Sequence, residues 1–388
     1  MEKHYIYMDN AATSFPKPEE VYLAGNKTLR TVGGSPGRSG HRMSVIADRT
    51  VFKTREAVAE LLNIKDSSRI VFTSGATQSL NLGIKGFLNP GDHVITSTIE
   101  HNSVTRPLYR ISRSGIEVSK IGSDPDGFIN PDDIKKNIRK NTKLIVLTHA
   151  SNVIGAIEPV EIIGAIAREK GVAFLLDASQ TAGFIPVDVQ KINVDMIAMP
   201  GHKSLLGPQG VGLLYIGPHI RLEPLIEGGT GGGSSAEKQP DKLPDRFEAG
   251  TMNTPAIAGL GAGVRYILER GINNLREKEL SLLERLIHGL KKIKGMVIYG
   301  PQNINDRVSL VSFNIRGLAP ETISFLLDEN FGIMTRAGIH CSPDAHKFLN
   351  TLPSGSVRLS PGIFNTKEDM DYIIFAINEI AANKCGLN

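Results

Sequence analysis

The sequence predicts an α/β protein, with a mainly parallel sheet covered by helices and a second, smaller α+β domain. Three observations carry this. Nearly continuous apolar, strand-like runs alternate with helix-like stretches through the first part of the chain, which is the pattern of strands buried on both faces. At 388 residues the chain is too long for one small core and suits one large and one small domain. Polar residues gather at the ends of the apolar runs, where open parallel sheets bind their ligands.

The elements follow in order. The stretch up to Phe15 is an extended arm. From Val21 to Leu62 the pattern is helical, broken by the turn-rich polar loop GGSPGRSGH (Gly33–His41). RIVFTSG (Arg69–Gly75) is a strand that leads into the helix ATQSLNLGIKGFL. DHVITSTIEHNS and TKLIVLTHASNVIGA are strands with polar ends, EIIGAIAREKG is an amphipathic helix, and VAFLLDASQTAG is a strand that ends in Asp177. MIAMPGHKSLLGPQGVGLLYI (Met196–Ile216) holds Lys203 between two apolar runs. A long helical stretch begins near Ala256. RVSLVSFNI, ISFLLDENFGI, SVRLSPGIF and a last helix complete the small domain. The expected division is a large domain over 16–260 and a small one made of 1–15 with 261–388.

Composition excludes several function classes. Hydrophobic content of 40% and charged content of 22% fit a soluble globular enzyme. The net charge of +4 comes without a basic block, so no nucleic-acid partner is expected. No apolar run approaches the ~18 residues of a membrane span, and the N-terminus has no apolar signal core, so a cytoplasmic protein is expected. The two cysteines, Cys341 and Cys385, are too few for a disulfide framework, and no Cys/His cluster has metal spacing.

The strand ends carry the chemistry. A lysine walled in by Met, Leu and Gly needs a partner or a task, and Lys203 suits a Schiff-base lysine; a snorkelling lysine is the plainer alternative. TSGATQSL places small and hydroxyl residues at a helix N-terminus, which suits a phosphate or ordinary capping by Ser74 or Thr77. It is neither a P-loop nor a dinucleotide fingerprint. Asp177 at the end of a buried strand calls for a cation, such as a protonated pyridine nitrogen, or for several donors. His101 can stack on a flat ring or act as a structural hydrogen-bonder. Taken together, a phosphate site, a carboxylate for a ring nitrogen, an imidazole for a ring face and a lysine for an aldehyde describe pyridoxal 5′-phosphate.

YMDNAATSFPKP, FTSGATQSLNL, TIEHNS, HASNVIGAI, LLDASQTAG, GHKSLLGPQGVGLLYI, RFEAGTMN and RAGIHC, in this order, cover nearly the whole chain. They resemble the class V aminotransferase branch of the fold-type I pyridoxal-phosphate enzymes, and within it the cysteine desulfurases and selenocysteine lyases. The resemblance implies a seven-stranded, mainly parallel sheet in the large domain. It gives Lys203 as the lysine that bonds the cofactor aldehyde and takes up the Cα proton, and His101 as the ring-stacking residue. Asp177 becomes the partner of the ring nitrogen and Gln180 a neighbour of the ring hydroxyl, with Ala76, Thr77 and His202 at the phosphate. Thr251 would reach the phosphate of a neighbouring subunit, which implies a homodimer, and His41 would lie on a loop entering the partner's site. Asn152 and Arg358 would meet the substrate carboxylate, Arg358 through a bidentate fork.

Cys341 matches the desulfurase nucleophile, with Arg336 and His340 beside it as positive charge that favours the thiolate. The implied reaction converts L-cysteine to L-alanine and leaves a persulfide on Cys341 for an acceptor protein. Selenocysteine lyase activity on L-selenocysteine, or another class V reaction such as transamination, is the alternative. Pro200 precedes Gly-His-Lys where many relatives carry a phosphate-contacting serine. Cys385 is expected to be an incidental surface thiol.

Overall fold

The computed structural model describes residues 5–37, 40–231 and 237–382; Cys385 lies outside them. The described chain begins with β1 (Ile6–Tyr7), α1 (Glu19–Thr31), α2 (Arg42–Leu61), β2 (Ile70–Thr73), α3 (Ala76–Lys85) and β3 (His93–Ser97). It continues through α4 (Asn102–Ser112), β4 (Glu117–Ile121), α5 (Pro131–Asn137), β5 (Thr142–Thr148), α6 (Val160–Lys170) and β6 (Ala173–Asp177). α7 (Val189–Ile192), β7 (Met196–Pro200), β8 (Gly212–Ile216), α8 (Thr254–Arg270) and α9 (Ile272–Leu290) follow. The C-terminal part holds β9 (Met296–Tyr299), β10 (Val311–Ile315), α10 (Pro320–Phe331), β11 (Ile333–Met334), β12 (Arg336–Gly338), α11 (Pro343–Phe348), β13 (Ser356–Leu359) and α12 (Lys367–Ala382).

The main sheet has seven strands in the order β2-β8-β7-β6-β5-β3-β4. β8 alone runs against its neighbours β7 and β2, and the other pairings are parallel. Successive residues of a strand feed opposite faces: Phe174 and Leu176 join one apolar cluster, and Leu175 joins the other. Both faces are therefore covered, and this is why the strands are apolar throughout instead of alternating. β4 is the exception. It is a half-exposed edge strand and carries no continuous apolar run.

The long helical stretch breaks at Gly271, which has φ 80°. On its N-terminal side, α8 packs against α1 and α2, while beyond it α9 packs against α12. The change of packing partner therefore falls about ten residues beyond 260, because α8 runs across that position. The C-terminal part builds an antiparallel sheet in the order β12-β13-β10-β9. β1 pairs in parallel with β11, register Ile6 to Ile333, and this ties the N-terminal arm to the C-terminal part. No described helix is long and apolar enough to cross a membrane.

Candidate active site

A cleft of about 360 Å³ lies at the carboxyl ends of the parallel strands. Its walls bring together Thr77, His101, Asn152, Asp177, Gln180 and Lys203 from the large sheet, and Arg336 and Arg358 from β12 and β13. Ala76, Pro200 and His202 also line it. Thr251 and His41 do not line it, and both are exposed. His41 caps α2, its Nδ1 accepting from the Ser44 amide.

The floor is built by β7 and the turn after it. β7 is fully buried, and Lys203 follows it, with its ammonium pushed down to about 8, chiefly by burial and partly opposed by Asp177. An amine held near that value is a usable base at neutral pH. His202 is lowered to about 4 by burial and the neighbouring lysine, and its Nδ1 is buried without a hydrogen-bond partner. Asp177 ends β6 and is only 3% exposed. Both the Ser179 amide and hydroxyl donate to its Oδ1.

α3 opens on Gly75 with no side-chain cap, so its first amides have no capping acceptor. β8 passes tightly behind this turn: a Cβ on Gly212 would lie 2.4 Å from Gly75 Cα. Glycine is required there by the close approach of two backbones. Facing it, His101 caps α4, with its Nδ1 accepting from the Ser103 amide. The ring is neutral, lowered to about 4 chiefly by burial. The Ser103 hydroxyl lies 2.9 Å from His101 Nδ1 and 2.8 Å from Thr77 Oγ1. Sequence reasoning missed this bridge, although Ser103 stands in the TIEHNS stretch beside His101.

Arg358 is 1% exposed. Its NH2 donates to Asp9 Oδ1 at 2.7 Å, its NH1 donates to the backbone oxygen of Asn152 at 2.8 Å, and its Nε is buried without a partner. Asp9 stands in the YMDNAAT stretch, but no sequence signal pairs it with an arginine 349 positions away. The Asn152 side chain is engaged otherwise than expected. Its Nδ2 donates to the His340 oxygen at 2.7 Å, and its Oδ1 accepts from the Ser342 hydroxyl at 2.8 Å.

Cys341 is partly exposed, and the Arg336 NH2 lies 3.6 Å from its Sγ. His340 corrects the sequence reading. It is 2% exposed, its Nε2 is bonded to the Ser356 oxygen, and burial together with Arg358 holds it far below its ordinary value. It is neutral and brings no positive charge to Cys341, which leaves Arg336 as the adjacent cation.

The profile of the family "Aminotransferase class-V" matches residues 6–373. The chain belongs to the class V aminotransferase family. Family relatives include a probable cysteine desulfurase of Pyrococcus abyssi, 35% identical and covering 98% of this chain and 95% of its own. A probable cysteine desulfurase of Methanothermobacter thermautotrophicus is 34% identical, with the same two coverages. Among solved family structures, the apo cysteine desulfurase of Thermococcus onnurineus superposes with a TM-score of 0.91 at 34% identity, covering 98% of this chain and 95% of that one. The cysteine desulfurase CsdA of Escherichia coli gives 0.87 at 29% identity, with the same coverages.

Proposed function

We propose that this protein is a pyridoxal-phosphate-dependent cysteine desulfurase that converts L-cysteine to L-alanine and carries the sulfur on Cys341 as a persulfide. The observation that carries the reading is the position of Cys341. A thiol with an adjacent arginine sits on the loop that follows β12, directly after His340, which lines the cleft together with Arg336 and the half-buried Lys203. The relatives named as cysteine desulfurases support it.

The residues present fit the cofactor. The uncapped start of α3 with Ala76 and Thr77, and the unpartnered His202 Nδ1, offer donors to a phosphate. The buried Asp177 carboxylate suits a protonated ring nitrogen. The flat, neutral His101 suits a ring face, and Gln180 lies within the cleft for a ring hydroxyl. Lys203 suits the aldehyde. Pro200 offers no side-chain donor at a position where many relatives have a serine. When bound, the group supplies an electron sink for the charge left at the substrate Cα.

The chain's own residues then divide the work. Arg358 receives the substrate carboxylate through its free Nε. Lys203 Nζ takes up the Cα proton. The thiolate of Cys341 attacks the substrate sulfur: the S–S bond forms as the substrate Cβ–S bond breaks, and the released alanine takes up protons. Transamination would leave Cys341 without a role. The reading also implies a homodimer in which Thr251 and His41 serve the partner's cleft, a persulfide-accepting protein partner, and a cytoplasmic location. The test is release of alanine and sulfide from L-cysteine, with a thiol reductant, by wild type and Cys341→Ala. Loss in the variant is expected. No release from either cofactor-loaded protein would overturn the reading.

A further inference from the structure

The loop that carries Cys341 has an unusual backbone. His340 and Cys341 are consecutive non-glycine residues in the left-handed region, at φ 47° and 61°. That conformation crowds Cβ against the following carbonyl and persists only when the surroundings impose it. Here the carbonyls of both residues are held by the large domain. The His340 oxygen accepts from Asn152 Nδ2 at 2.7 Å, and the Cys341 oxygen accepts from the Asn102 amide at 2.8 Å. Asn102 is the first residue of α4, so this bond also satisfies a free amide at a helix start.

The first of these contacts depends on which way the Asn152 amide faces. An asparagine has a donor end and an acceptor end of nearly equal shape. The donor must face His340, so the acceptor needs a donor of its own. Ser342 supplies it: its hydroxyl is fully buried and donates to Asn152 Oδ1 at 2.8 Å. Without that hydroxyl the Oδ1 atom would be buried and unsatisfied, and a flipped amide would turn an oxygen toward the His340 oxygen. Arg358 NH1 holds the backbone oxygen of the same asparagine, so the carboxylate site and the nucleophile loop share one residue.

We propose that Ser342 is a positioning residue for sulfur transfer, fixing the Asn152 amide so that it clamps the Cys341 loop in its left-handed form. The proposal rests on the desulfurase reading. The test compares wild type, Ser342→Ala, Asn152→Ala and the double variant by amide hydrogen exchange at Asn102 and by steady-state alanine release from L-cysteine. Loss of one hydrogen bond predicts about three- to tenfold faster exchange at Asn102 in Ser342→Ala, and a similar fall in kcat, with KM within about twofold. Because Ser342 acts through Asn152, the double variant should exchange no faster than Asn152→Ala alone. Unchanged exchange in Ser342→Ala, or an undiminished additive effect in the double variant, would overturn the proposal. Exchange needs no turnover. If Ser342→Ala shows the exchange change while the wild type transfers no sulfur, the clamp stands and the desulfurase reading fails.

Discussion

Replacing Arg358 with glutamine tests the substrate end of the cleft. The guanidinium is 1% exposed and spends NH1 on Asn152 and NH2 on Asp9. Nε is the buried nitrogen without a partner, and burial pulls the group below its ordinary value. A substrate carboxylate there would gain a charge-assisted hydrogen bond in a site shielded from water. Such a bond is worth about 1.5–3 kcal/mol, so Arg358→Gln should lower kcat/KM for L-cysteine by about 10- to 150-fold. Glutamine keeps a donor but loses the charge. The variant also frees Asp9, which is 21% exposed in its side chain, so water relieves much of that loss. Thermal melting reports it separately. The discriminating assay is inhibition by L-alanine against ethylamine, which lacks the carboxylate. Wild type should prefer L-alanine, and the variant should lose most of that preference. A folded variant with kcat/KM within twofold of wild type, or with the preference intact, would refute the assignment of Arg358 to the carboxylate.

Three further outcomes concern stability. His149 and His346 are buried and lowered from 6.5 to about 4 by desolvation. The unfolded chain takes up these protons first, so urea-unfolding stability should fall as pH drops from about 6.5 to about 4, and His149→Gln should shrink that loss. Glu100 is fully buried and raised from 4.5 to about 8, chiefly by desolvation. The unfolded chain releases this proton first, so stability falls as pH rises between those values; Glu100→Gln should flatten the slope by about 1.4 kcal/mol per pH unit. Gly212→Ala would press a methyl group into the Gly75 backbone and should cost about 1–3 kcal/mol by urea unfolding, with weakened binding of pyridoxal phosphate measured by absorbance titration.

Much of the fold is legible because burial on both faces makes a strand conspicuous. β3, β5, β6 and β7 are almost wholly buried, and their polar ends mark the cleft before any coordinates exist. β4 escapes notice because, as an edge strand, it mixes exposed and buried positions. The cleft's chemistry is legible wherever a residue sits at a strand end, as Asp177 and Lys203 do. It is illegible where the role depends on a distant partner. Asp9 gains its meaning from Arg358 and Ser342 from Asn152, and no local pattern announces either pair. His340 is misread as a cation because sequence gives adjacency and not burial, and burial sets its charge.

The pairing of β1 with β11 has a consequence for the birth of the protein. Asp9 and Asn10 leave the ribosome 349 and 350 positions ahead of their partners Arg358 and Ser360. β2 to β8 are all made before β12 and β13, which supply Arg336 and Arg358 to one side of the cleft. Until β13 has been made, the cleft lacks the wall to which Arg358 belongs, and Asp9 waits without its partner.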